Sequence, residues 1–199
     1  MEVKIFDRWS TEGIDVKDIG LKKYINLQPM LMPRSSGRRA KYQFHKSKMN
    51  IVERLMNKMM VPGHRGKKHV LTSGRNVGKT QIIYKIIRNV FEKIEKQTNK
   101  NPIEVLVGAI ENSALREEIT AYQVGGTIVR RAVITSPQRR VDLSLKNIVH
   151  TAYKRSFGKK ETMADALANE LMAAYNNDPS KSEAVKDRER MEREAEGAR

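Results

Sequence analysis

The chain has 199 residues, 39 Lys and Arg against 23 Asp and Glu, and a net charge of +16. That length allows one domain with a real core plus extensions, and the absence of cysteine excludes disulfides, thiolate metal sites and cysteine nucleophiles. No apolar run approaches the roughly 20 residues of a membrane helix, and the first residues, MEVKIFDRWSTEG, lack the apolar centre of a signal peptide, so a cytoplasmic protein is expected.

The placement of the charge says more than its size. Residues 19–91 carry 17 Lys and Arg against the single acid Glu53, and residues 127–160 carry nine against Asp142 alone. Two nearly acid-free blocks on a background of ordinary or slightly acidic segments are the footprint of a polyanion binder.

Residues 1–46 read as a basic, partly irregular extension ahead of a helical domain over 47–199. KIFDRWS offers Phe6 and the only tryptophan, Trp9, as docking anchors, and Ile14, Val16, Ile19, Leu21, Tyr24 and Ile25 follow without a long period. QPMLMPRSSGRRAKYQFHKSK then brings two prolines, a Ser-Ser-Gly turn and six cations: Arg34, Arg38, Arg39, Lys41, Lys46 and Lys48. Tyr42 and Phe44 stand among them, a mixture suited to phosphate contact with base stacking. Such a stretch is expected to order only on RNA.

Helix one is expected from the N-cap Ser47 to about Met60, with Ile51, Val52, Leu55, Met56, Met59 and Met60 at helical spacing. Pro62-Gly63 stops it, and a basic loop follows with Arg65, Lys67, Lys68 and Arg75. Helix two should span about 78–97. Its stripe of Ile82, Ile83, Ile86, Ile87, Val90, Phe91 and Ile94 is the strongest amphipathic signal in the chain and predicts the central core helix. Helix three starts at Pro102 after the cap Asn101 and runs to about Asn112, burying Ile103, Leu106, Val107 and Ile110.

Two β-branched runs, 118–124 and 127–135, are joined at Gly125-Gly126, which lets both central turn positions take φ > 0 as a tight hairpin turn requires. The hairpin, 117–135 overall, ends at Ser136-Pro137, an N-cap position followed by proline at the first helical one. Arg130, Arg131, Arg139 and Arg140 put four guanidiniums near this element, and a lone two-stranded ribbon wants support from a partner. It reads as an arm that lies on RNA. Helix four (about 137–155), helix five (about 162–175) and a mostly charged helix six (about 182–195) complete the chain. The expected fold is all-α, a single domain of five to six helices with a projecting β-hairpin arm between helices three and four.

SGRNVGKT at 73–80 invites a P-loop reading, but the first glycine of that motif belongs where Ser73 stands. Only HVLT precedes it, and no apolar run ending in aspartate offers a magnesium ligand. The same residues fit a helix start where Lys79, the amides and the dipole hold an RNA phosphate. The four histidines have no HExxH spacing, so no metal is expected; Glu117 and Glu118 open a strand and point to opposite faces, and no nucleophile has a base beside it. The reading is therefore a binding protein with no catalytic residue, cofactor or small-molecule substrate. Two alternatives stand beside it: a generic basic DNA- or RNA-binding protein, which should offer a recognition helix after a tight turn, and a P-loop enzyme.

KIFDRWST, IVERLMNKMM, NPIEVLVGAIENSALRE, VGGTIVRRAVITSPQRRV, DALANELMAAYNN and ERMEREAEGAR, in this order, cover nearly the whole chain. On these motifs the chain resembles the universal small-subunit ribosomal protein seven family, in its archaeal and eukaryotic-cytosolic form, whose eukaryotic name is ribosomal protein five. The resemblance implies a helical protein with a β-ribbon arm that binds the 3′ major domain of small-subunit ribosomal RNA, organises assembly of the subunit head, and lines the path of exit-site transfer RNA and departing messenger RNA beside a neighbouring subunit protein. Carried over by position, Arg130, Arg131, Arg139 and Arg140 belong to the hairpin and helix-four RNA surface. Arg75, Asn76 and Lys79 open helix two, Lys46 and Lys48 precede helix one, and Tyr122, Gly125, Gly126 and Thr127 form the arm near the exit site. The chain lacks the aromatic-rich tail of bacterial members, and its loop HRGKKHVLTSGRNVG is longer than theirs.

Overall fold

The computed structural model describes residues 3–39, 41–61 and 75–199, and its centre is the helix with the smallest side chains. In α6 (Met163–Tyr175), Ala164, Ala166, Leu167, Ala168, Leu171, Ala173 and Ala174 are buried, and α3 (Thr80–Thr98), α4 (Pro102–Ser113) and α5 (Pro137–Ser156) pack around it. Alanines on every side let three neighbours approach one axis closely. The stripe of α3 predicted the central helix there instead. Its Ile83, Ile87, Val90, Phe91 and Ile94 are buried, but Ile82 is 44% exposed. A one-sided stripe marks a helix at the surface of a core, whereas apolar burial all round marks its middle.

Among the described residues there are seven α-helices and one antiparallel two-stranded sheet, so the molecule is mostly helical, with one short helix more than expected. That helix, α1 (Ile19–Lys22), is a single turn whose Asp18 side chain accepts from Gly20 N–H. None of the helices is long and apolar enough to cross a membrane.

The capping residues explain where the boundaries fall. α2 (Ile51–Met59) starts after Asn50, not Ser47. Asn50 accepts from Val52 N–H through Oδ1 (2.9 Å) and donates through Nδ2 to Gln28 O (2.8 Å), tying the helix start to the preceding chain. Ser47 instead donates to Phe44 O (2.7 Å) inside a 3₁₀ turn, His45–Lys48. Asn101, Thr162 and Ser182 cap α4, α6 and α7 (Glu183–Glu196) as side-chain acceptors, while Ser136 holds the N-cap position of α5 without a side-chain bond. The buried Glu170 of α6 accepts from Ser182 Oγ (2.7 Å) and Ala184 N–H (3.1 Å), which fastens the otherwise charged α7 at its start.

The first residues belong to the core, contrary to the expectation of an extension. Ile5, Phe6, Trp9, Leu21 and Ile25 are buried in the same cluster as the helices. Phe6 meets Tyr84 edge-on at 4.7 Å and Phe91 at 5.9 Å, and Trp9 meets Phe91 at 5.5 Å. Trp9 Nε1 donates to Glu95 Oε2 (3.3 Å), and Arg8 pairs with the same oxygen (2.6 Å). The aromatic anchors bring in an apolar set too short to show a period.

Gly108 in α4 records how close α6 approaches. A Cβ there would lie 2.7 Å and 2.9 Å from the ring carbons of Tyr175. In open space Gly→Ala in a helix gains roughly 1 kcal/mol. Here Gly108→Ala is expected to lower the unfolding free energy instead, and Gly108→Ala with Tyr175→Ala to recover the helix gain relative to Tyr175→Ala alone. Urea unfolding of the three variants checks the sign.

β1 (Glu117–Val124) and β2 (Thr127–Ile134) pair from Glu117↔Ile134 to Val124↔Thr127, after α4 and before α5. Gly125 (φ 54°) and Gly126 (φ 86°) both take the left-handed region, as the tight turn demands. Among the described residues the contacts that brace the arm lie toward its base. Thr135 N–H donates to Arg116 O (2.9 Å), Arg116 N–H to Glu192 of α7 (2.9 Å), and Arg199 grips Glu117 with one nitrogen at 2.7 and 2.8 Å from its two oxygens. Residues 120–131 are exposed throughout.

Candidate nucleic-acid interface

The 3₁₀ turn His45–Lys48 divides two cation-lined grooves. One, of ≈300 Å³, is bordered by Lys22, Lys23, Arg39 and Lys48, and the other, of ≈250 Å³, by Lys46, Arg54, Lys58 and Asp142. Lys22, Lys23, Lys46 and Lys48 are exposed, with Arg34, Arg38 and Lys41 exposed on the chain leading to the turn.

The two lone acids of the basic blocks are both engaged within the protein, Glu53 in the interior and Asp142 at the edge of the second groove. Glu53, 5% exposed, accepts from Ser35 N–H (2.8 Å) and Ser35 Oγ (2.6 Å), which holds the Ser-Ser-Gly turn against α2. Asp142 binds the buried Arg54 (3.0 Å), whose other nitrogen donates to Tyr24 O (2.8 Å); its second oxygen takes Lys46 at 2.6 Å. Burial lowers the Lys58 ammonium from its ordinary pKa; Asp142 opposes this, and Lys46 and Lys146 add to it. Three ammoniums thus share one acid already committed to Arg54, a field that favours an anion. Burial and the charges of Lys48 and Arg39 likewise lower the His45 imidazole from its ordinary pKa.

The arm's arginines separate. Cross-strand pairing sets Arg131 opposite Thr120 and Arg130 opposite Ala121, so the two exposed guanidiniums leave opposite faces of the ribbon. Arg139 makes two bonds to Glu118 (2.6 and 2.8 Å) while its side chain stays 54% exposed. Arg140, 12% exposed, turns inward to Asp18 (2.7 Å) and Leu115 O (3.2 Å), clasping the N-terminal segment to α5. The four do not form one cluster. Burial alone would raise the Asp18 carboxyl, but Arg140 and the Gly20 amide outweigh it and hold the pKa below 3.8, so the clasp is intact at neutral pH and is lost as pH falls through that lowered value.

At the start of α3, Lys79 is exposed in the N-cap position, and its own side chain makes no capping bond. Arg75 is exposed, whereas Asn76 donates to Tyr153 Oη (3.1 Å), which in turn donates to Met59 O (2.6 Å). Asn76 therefore positions the helix start. Thr80, the hydroxyl a P-loop would aim at magnesium, points to Met60 Sδ (3.5 Å). Arg65, Lys67, Lys68 and the HVLT run lie outside the described residues. At the tip, Tyr122, Gly125, Gly126 and Thr127 are all exposed.

Lys22, Lys23, Lys58 and Lys146 escape a reading of the sequence. The available signal was helical spacing: Lys58 follows Arg54, and Lys146 follows Asp142, each by four residues on one face. Only the packing of α2 on α5 brings the two faces together.

Comparison with known proteins agrees with this architecture. The family model described as ribosomal protein S7p/S5e matches residues 21–199. Over 199 residues, covering all of both chains, the sequence is 48% identical to small ribosomal subunit protein uS7 of Nanoarchaeum equitans. It is 42% identical, again over the full length of both chains, to proteins of the same name from Methanococcus aeolicus and Methanococcus maripaludis. A helical body with a basic face and a free two-stranded arm, matched along nearly its whole length, places this chain in the ribosomal protein S7p/S5e family.

Proposed function

We propose that the chain is a structural constituent of the small ribosomal subunit in the cytoplasm, where it binds the 3′ major domain of small-subunit ribosomal RNA and organises the subunit head. The observation that carries this reading is the pair of cation-lined grooves around His45–Lys48, whose nearby acids Glu53 and Asp142 are both committed to internal contacts. Folded RNA is gripped largely through its phosphates and 2′-hydroxyls, which suits a broad cationic face. Arg34, Arg38, Arg39, Lys41, Lys46 and Lys48 form its first part, Arg75 and Lys79 its second, and Arg130, Arg131 and Arg139 its extension along the arm. Arg140 and Asn76 act by positioning. The arm reaches out between α4 and α5 to the exit-site transfer RNA, the departing messenger RNA and a neighbouring subunit protein.

Binding of the full chain to a 3′ major domain transcript, across a salt series with unrelated structured RNA as competitor, tests the reading. Tight binding that survives competitor and falls steeply with salt is expected. Binding no better than to competitor, or equal on duplex DNA, would leave only a generic polyanion binder. Removing residues 122–129 is expected to spare both the thermal transition and transcript affinity, because the described bracing contacts lie toward the base of the arm, and to reduce exit-site transfer RNA occupancy in reconstituted ribosomes.

A further inference from the structure

Two phenylalanines in this chain hold a left-handed backbone, a region sterically unfavourable for a bulky residue. At Phe6 (φ 54°) the ring is buried against Tyr84, Trp9 and Phe91, and that packing offsets the strain. At Phe44 (φ 60°) the ring is 63% exposed. The backbone there is held from below: Ser47 donates to Phe44 O through both N–H (3.1 Å) and Oγ (2.7 Å), fixing Phe44 as the N-cap of the 3₁₀ turn. Strain kept without packing suggests that the position of the ring itself has a use. Two residues earlier Tyr42 is 74% exposed, set edge-on to His45 at 5.6 Å between ring centroids. The two rings stand among the exposed Arg38, Lys41, Lys46 and Lys48, and no acid occurs between residues 34 and 52.

We propose that Tyr42 and Phe44 are stacking platforms for unpaired bases, so that the groove around His45–Lys48 takes a single-stranded or bulged segment of RNA and not an uninterrupted duplex. The proposal rests on the RNA-binding reading above and names the class of RNA within it. In a duplex the faces of the bases are covered and only phosphates and groove edges are offered, for which lysine and arginine suffice. A splayed base alone presents a π-face to an exposed ring, and the surrounding cations hold the backbone on either side of it. The uniform positive charge argues for this occupant over a protein neighbour.

The test compares full-length wild type with Tyr42→Leu/Phe44→Leu on the 3′ major domain transcript, with a fully paired RNA of similar length as control. Each lost stack is expected to weaken transcript binding about tenfold. The salt dependence should not change, since no cation is removed. Binding to the paired control should be equal for both proteins, and bases protected from chemical modification by wild type should become reactive again. Phe44→Trp, which keeps a π-face, should retain affinity. Specific wild-type binding matched by the leucine variant would overturn the proposal and leave the rings to a protein neighbour. An equal loss on paired RNA, or a lowered thermal transition in the variant, would overturn it in favour of a structural role. A wild type that does not distinguish the transcript from competitor would overturn the RNA reading itself.

Discussion

Replacing Trp9 by alanine is expected to lower the unfolding free energy by about 3–5 kcal/mol, the range for removing a large aromatic side chain from a packed core. The indole is 4% exposed, lies edge-on to Phe91 at 5.5 Å and to Phe6 at 5.9 Å, and donates to Glu95 (3.3 Å). Little can close the space it would leave. Phe91 belongs to α3, and Phe6 is fixed by its own N–H to Leu31 O (3.0 Å). Trp9→Phe keeps most of the apolar volume and loses the hydrogen bond, so a cost nearer 1 kcal/mol is expected for it. Because Trp9 is the sole tryptophan, its emission reports on this segment alone, while circular dichroism reports on the helices. If the segment belongs to the core, the two signals change together in urea and the alanine variant shifts the helical transition. An indole signal lost well before the helices unfold, or an alanine variant within about 0.5 kcal/mol of wild type, would return the segment to a loosely attached extension.

The helices and the hairpin were legible because each is written locally. Asn101-Pro102 announces the start of α4, Gly125-Gly126 the turn, and β-branched runs the strands, and each signal acts within a few residues of its own position. The centre of the fold was not legible for the opposite reason. Amphipathic contrast is strongest in a helix with one wet face, so it drew attention to α3, while the alanines of α6 look unremarkable until three other helices are placed around them. Membership of residues 5–25 in the core depended on pairings across the sequence, Phe6 with Tyr84 and Arg140 with Asp18, which no window of the chain contains. The interface divided along the same line. The exposed cations near residues 34–48 could be read from their crowding, but which arginine faces RNA and which the interior could not. Arg139 and Arg140 are adjacent in sequence and one hundred degrees apart on their helix, which is enough to make one a surface group and the other a clasp.

That division sets the second expectation. Lys46→Gln, Lys58→Gln and Lys146→Gln together are expected to weaken binding to the 3′ major domain transcript by about one- to five-hundredfold near 0.1 M salt and to flatten the salt dependence by about 2–3 in log–log slope, because each phosphate contact contributes roughly 0.7–0.9 to that slope. The fold should survive the change. Asp142 keeps its bond to the buried Arg54 at 3.0 Å when Lys46 is replaced, and Lys58 is already held below its ordinary pKa by burial, so a neutral side chain there removes a desolvated charge. Arg140→Gln is the contrasting variant. It breaks the clasp to Asp18 and Leu115 O, so the expected loss is in the thermal transition, with the salt slope unchanged. If the triple lysine variant instead binds with wild-type slope while Arg140→Gln flattens it, the phosphates lie on the arm side of α5, and the groove between α2 and α5 serves only the packing of those two helices.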